Sequence, residues 1–171
     1  MADKKKLILC LACAAAALAI RSLALLLPNQ FLLWGLLAIT MLSPVGEECG
    51  LVPGLGVWLA TSVAALLLPN FECGLLIALF GYYPIMRPRI AALQMRSLRS
   101  GMMLLIILCS SLAEFLLLGY LFGDLLHADA SGELFLITLG FTAIYLLIVN
   151  FFSKRGGEFW RSSLRFRFFD E

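Results

Sequence analysis

The chain has 171 residues, 62% of them hydrophobic and 14% charged, with a formal net charge of +2. A soluble domain is closer to half apolar and a quarter charged, and one of this size still leaves much of its surface in water, so the apolar excess implies lipid as the solvent. The small net charge argues against nucleic acid as a partner, and five cysteines without framework spacing argue against a disulfide scaffold.

The N-terminus, MADKKKLILCLACAAAALAI, has the basic start and apolar core of a signal peptide. Its apolar run, however, continues through Arg21 to Leu27, which is long enough to span about 30 Å of hydrocarbon. An uncleaved first span over 7–27 is expected. Cys10 and Cys13 form C-x-x-C inside it, and without further ligands they read as small packing residues. Ala12, Ala15, Ala16 and Ala19 recur at three- and four-residue spacing, a face on which a second helix can approach closely.

Five further apolar segments follow, at 31–42, 50–68, 71–86, 102–126 and 133–152. Prolines at 28, 44, 69, 84 and 88 mark boundaries, because proline lacks the donor a continuing helix needs. The segment 31–42 is short for a bilayer and reads as tilted, thinned or re-entrant. Backbone groups in lipid must bond within their own segment, so every span is read as a helix. The expected fold class is an all-α polytopic membrane protein with six transmembrane helices, the second of them short.

Basic residues set the orientation. Lys4, Lys5 and Lys6 precede the first span, and Arg87, Arg89, Arg96 and Arg99 lie between the fourth and fifth. Lys154, Arg155, Arg161, Arg165 and Arg167 follow the sixth. With six spans these clusters share one side, which puts the N- and C-termini in the cytoplasm and the protein, multi-pass, in the plasma membrane. The stretch from Arg89 to Arg99, wound as a helix, would lie in the interface plane, as a lipid anchor or a docking surface for a partner. Residues 1–152 form the expected transmembrane domain. Residues 153–171 form a basic, aromatic cytoplasmic tail, set off by a helix break at Gly156-Gly157 and suited to the headgroup region. Glu47 and Glu48, on the same side, are candidate partners for Arg87 or Arg89.

Two stretches echo each other. LAIRSLALLLPN (18–29) and LATSVAALLLPN (59–70) agree at eight of twelve positions at an offset of 41, a hint of parallel repeats. Charges at membrane depth are the leading functional candidates, since they are costly there. Arg21 and Glu114 both fall about 20 Å from the cytoplasmic face at 1.5 Å per residue. They are expected either as an ion pair inside the bundle or as part of a polar ligand pocket open to the outside. Glu72, Asp124, Asp129 and Glu133 rim the outer side, and His127 reads as a solvated loop residue. There is no His-Glu-x-x-His, Gly-x-Ser-x-Gly or phosphate-loop motif, so neither an enzyme nor a bound metal or cofactor is expected.

The basic start with its Ala-rich first helix, the two LLLPN closures and LFGYYPIMRPRI before a basic loop resemble a family of small bacterial six-span proteins. That family's pattern runs F-G-Y-Y-P-I-x-[KR]-x-x-I, here residues 80–90. Its layout is similar to the S components of energy-coupling-factor (ECF) vitamin transporters. The resemblance implies an outward ligand pocket, and a small-residue face at Ala12 and Ala16 that meets a transmembrane coupling subunit driven by ATPases. Pro88 departs from the pattern, because the chain should continue there as helix, and it puts a flat docking loop in doubt. The expected function is a membrane solute-binding subunit that captures a small polar or vitamin-like molecule at Arg21 and Glu114. The partner surface would be Ala12, Ala16, Arg87, Arg89, Arg96 and Arg99. The alternative is a non-catalytic membrane scaffold that holds an envelope partner.

Overall fold

The computed structural model describes residues 2–121 and 131–166, which form eight α-helices and no strand. They are α1 (Ala2–Leu23), α2 (Phe31–Thr40), α3 (Ser43–Glu48), α4 (Leu51–Leu66), α5 (Phe71–Phe80), α6 (Tyr83–Ala91), α7 (Arg96–Leu121) and α8 (Ser131–Phe159). Four helical stretches are long and apolar enough to cross a membrane: Lys4–Leu23, Phe31–Glu48, Arg96–Tyr120 and Gly132–Leu164. A fifth apolar helix, Leu51–Leu66, is shorter. Their outward faces carry large apolar side chains, such as Leu7, Ile8 and Leu11 on α1 and Leu104, Leu108, Leu112 and Leu116 on α7. This is the surface a hydrocarbon solvent accepts and water does not.

The prolines act differently from the sequence expectation. Pro44 and Pro84 do not close α2 and α5. Each sits at the second position of a new helix, where its missing N–H is an orphan in any case. Two-residue turns at Met41-Leu42 and Gly81-Tyr82 join the halves. The short second segment is thereby continued through α3 into an 18-residue stretch. Pro88 lies inside α6, which ends three residues later.

The chain divides into two units, Met1–Arg89 with Val149–Glu171, and Ile90–Ile148. In the first, α1, α2, α5 and α4 form a closed ring, each packing on the next and α4 back on α1. Ala17, Ile39, Ala65, Cys73, Leu76, Ile77 and Phe80 fill its interior. A Cβ on Gly74 would stand 2.7 Å from the Ala65 carbonyl oxygen, so glycine is what lets α5 lie against the end of α4. α3 packs on α1 and α4 at the end where α1 begins, beside a cluster of Leu9, Cys10, Cys13, Val45 and Trp160.

The helix does not break at Gly156-Gly157: α8 runs on to Phe159 and a π-helical turn follows over Trp160–Leu164. A Cβ on Gly157 would meet only the carboxylate end of Glu47, a flexible side chain, so α8 runs past Glu47 of α3 here instead of ending. In the second unit, α7 and the first part of α8 join through an edge-on Phe115–Phe135 contact, centroids 5.6 Å apart. Arg99 donates from Nη2 to the carbonyls of Ala91 and Leu93 and ties down the linker before α7. The stretch expected as an interfacial helix is therefore the end of α6, a short linker and the start of α7.

Candidate functional site

Alternating direction brings four helix termini to one end of the ring in the first unit: the ends of α1 and α4 and the starts of α2 and α5. Arg21 sits two residues before the end of α1 and is 0% exposed. Its Nη2 donates to the carbonyls of Leu68 and Asn70, both at 2.9 Å. Asn70 holds a left-handed conformation (φ 66°), which asparagine tolerates better than most residues. Its Nδ2 donates to the Ala24 carbonyl at 2.7 Å. The two LLLPN echoes thus fold differently: the first leads into a 3₁₀ turn at Pro28–Gln30, the second into this left-handed Asn70.

Three residues at this end keep donors that find no partner. Arg21 Nε and Nη1, Trp34 Nε1 and Ser62 Oγ are buried and unbonded. An unmade hydrogen bond costs its group the full loss of hydration, and more when the group is charged. Trp34 and Ser62 were not among the residues singled out from sequence. Ser62 carried a faint signal, because it occupies the position that Arg21 holds in the echo.

Glu114 lies in the second unit, 7% exposed, and accepts a short hydrogen bond from the Thr142 hydroxyl. Ser110 and Ser111 on α7 and Thr138 on α8 line the same polar seam, all buried. Ser111 donates back to the Ile107 carbonyl at 2.7 Å, and Thr138 to those of Leu134 and Phe135. Arg21 and Glu114 therefore each have their polar partners inside their own unit.

The residues expected on a partner surface are dispersed. Ala12 is exposed and Ala16 half-buried, while Cys13 and Ala17, each the next residue along, are buried. Arg87 donates from Nε to Asn150 Oδ1 at 3.2 Å. Arg89, Arg96 and Arg99 are exposed. Glu47 and Glu48 pair with the tail, not with Arg87 or Arg89: Arg161 Nε lies 3.4 Å from Glu47 Oε2 and Arg165 Nε 2.9 Å from Glu48 Oε1. Trp160 Nε1 also donates to Glu48. Asp124, His127 and Asp129 lie outside the described residues, and Glu72 and Glu133 are exposed.

Among the described residues no three His, Cys, Asp or Glu side chains gather as a metal site. Cys10 points its thiol at Cys49, Sγ to Sγ 3.3 Å, rather than acting with Cys13. Burial, and then the bond with Cys10, push the Cys49 thiol up to about 12, so it stays protonated and unreactive near neutrality. Comparison with protein-family models, curated proteins and solved structures gave no match to this chain.

Proposed function

We propose that the chain is a six-span plasma-membrane protein with both termini cytoplasmic, acting as a solute-binding subunit of the S-component kind. It takes a small polar molecule from outside and depends on a partner module with ATPases for uptake. The observation that carries this reading is Arg21: a fully buried guanidinium with two of its three nitrogens unbonded. A purely structural arginine would have its donors satisfied, whereas a ligand site keeps donors in reserve. Glu114, buried with only hydroxyl chemistry beside it in its unit, is the second residue assigned to ligand handling.

Topology supports the same reading. The Arg21 end of the ring lies opposite the end that carries Lys4–Lys6 and the basic tail, so the positive-inside rule makes it the outer end. Ala12 and Ala15 leave small side chains exposed along α1, where a coupling subunit's helix would approach.

Native mass spectrometry of protein purified gently from its own membrane tests the proposal. A co-purifying membrane subunit with ATPases, together with a small molecule released on unfolding, is the expected result. Recovery of the bare chain, or of an envelope protein without ATPases, would exclude the uptake role and favour a scaffold. Epitope tags accessible from outside intact cells at either terminus would overturn the topology.

A further inference from the structure

We propose that the outer end of the four-helix ring is an oxyanion site, taking a carboxylate or phosphate group on Arg21, Trp34 and Ser62. The inference rests on the reading that Arg21 holds a solute, and it fixes the chemical class of that solute. Arg21 lies two residues from the end of α1, Trp34 three residues into α2, and Ser62 four residues from the end of α4. At 1.5 Å per residue each is within about 6 Å of the rim. Their helices are neighbours in the ring, so three of its four walls contribute.

The unbonded atoms are all suited to donate. Arginine and tryptophan nitrogens cannot accept, and the serine hydroxyl can turn either way. Three carbonyls at this end are already engaged: those of Leu68 and Asn70 by Arg21 Nη2, and that of Ala24 by Asn70 Nδ2. Ala24 and Leu68 follow the last turns of α1 and α4, and Asn70 is the residue that precedes α5. The N-termini of α2 and α5 face the same end, and neither has a side-chain cap. Their partial positive charge adds to the guanidinium. Glu72 is the acidic residue in the first turn of α5, and it is exposed and unpaired with Arg21. What remains is an excess of donors and positive potential that an anionic oxygen group satisfies and a neutral or cationic one does not.

The experiment follows thermal unfolding of the full chain in a neutral maltoside detergent. The probes are sodium phosphate, sodium acetate, and phosphatidylglycerol against phosphatidylcholine, with sodium chloride at matched ionic strength as control. A saturable rise in the midpoint with phosphate or acetate identifies a free anion. A rise with phosphatidylglycerol alone identifies a lipid headgroup, and either supports the site. Trp34→Phe and Ser62→Ala remove donors that bond nothing in the protein, so their midpoints without anion should be no lower than the parent's. Their affinity for the anion should fall about tenfold or more, as expected for a lost bond to a charged group. No saturable shift with any probe beyond chloride, or full affinity retained in both variants, would overturn the site. The assay needs no ATPase. A shift without a co-purifying subunit therefore keeps the site and removes the uptake reading, and the converse result removes only the site.

Discussion

Arg21 and Asn70 clasp the first unit at one end. The arginine donates to the asparagine's carbonyl at 2.9 Å, and the asparagine's amide reaches back to the Ala24 carbonyl at 2.7 Å. Between them they tie together the segments that follow α1 and α4, and the two Arg21 bonds span 47 and 49 residues of chain. Each helix end in a membrane must satisfy its last carbonyls without water, so a clasp of this kind matters more than it would on a soluble surface.

Asn70→Ala should therefore destabilise the fold by about 2–4 kcal/mol. It removes the bond to Ala24, about 1–3 kcal/mol with the carbonyl left buried, and puts alanine, which lacks asparagine's tolerance of the left-handed region, at φ 66°, about 1 kcal/mol more. Asn70→Gly should recover only the backbone part. Unfolding by denaturing detergent titration, followed by circular dichroism, would rank the parent above glycine and glycine above alanine. Equal stability of the two variants would show that the side-chain bond contributes everything and the left-handed turn nothing.

Much of this architecture was legible beforehand, but unevenly. Helicity and the membrane setting followed from composition, because 62% apolar residues in 171 cannot be hidden in a small globule. Arg21 and Glu114 stood out because charge inside an apolar run is costly wherever the run lies. The role of Pro44 and Pro84 was not legible, since proline ends one helix and begins the next with equal ease, and only the turn before it decides. The glycine pair at 156–157 misled for a related reason. Glycine lowers helix propensity by only about 1 kcal/mol, and α8 continues through both residues, past Glu47 of α3. Trp34 left no signal and Ser62 only its place in the echo, because what singles them out is a missing partner in three dimensions.

The tail offers a direct comparison of packing with charge. Trp160 is buried among Leu9, Cys10, Cys13 and Val45, whereas Arg161 and Arg165 have side chains 57% and 55% exposed. Trp160→Ala should cost about 3–5 kcal/mol, the range for a large buried aromatic. Glu47→Gln and Glu48→Gln should cost less than about 1 kcal/mol each, because the arginine of each pair stands largely in solvent and the pair is screened. Limited trypsin digestion checks the ranking. Cleavage after Arg161 and Arg165 should accelerate strongly in Trp160→Ala and only slightly in the glutamine variants, and the latter difference should shrink at high salt, where the parent's pairs are screened as well.

Cys49 should show the reactivity of a thiol held protonated. Its pKa is pushed up to about 12, first by burial and then by its bond with Cys10, so the thiolate is scarce at pH 8. Alkylation of Cys49 by iodoacetamide, read site by site by mass spectrometry, should keep rising through pH 11. In the protein unfolded in dodecyl sulfate it should level off near the ordinary thiol range, roughly pH 9 to 10. The sign for stability follows. The folded state favours the protonated thiol, so its contribution is complete below the unfolded pKa and is lost as pH climbs toward 12. A plateau near pH 9 in the folded protein would mean that Cys49 is not buried against Cys10.

The second unit carries its own test at Glu114 and Thr142. The threonine hydroxyl donates to the glutamate's Oε2, and both side chains are buried. Thr142→Val conserves the shape but withdraws that donor, leaving a carboxyl without its hydroxyl partner in an apolar seam. A loss of about 1–3 kcal/mol is expected. Thr142→Ser retains the hydroxyl and should lose much less. Glu114→Gln keeps an oxygen that can accept from Thr142, so it should fall between the two. In a double-mutant cycle, Thr142→Val in the Glu114→Gln background should cost less than in the parent, because the remaining group is neutral. Strict additivity of the two substitutions would show that the hydroxyl and the carboxyl act separately, and that the polar seam of α7 and α8 owes its stability to packing alone.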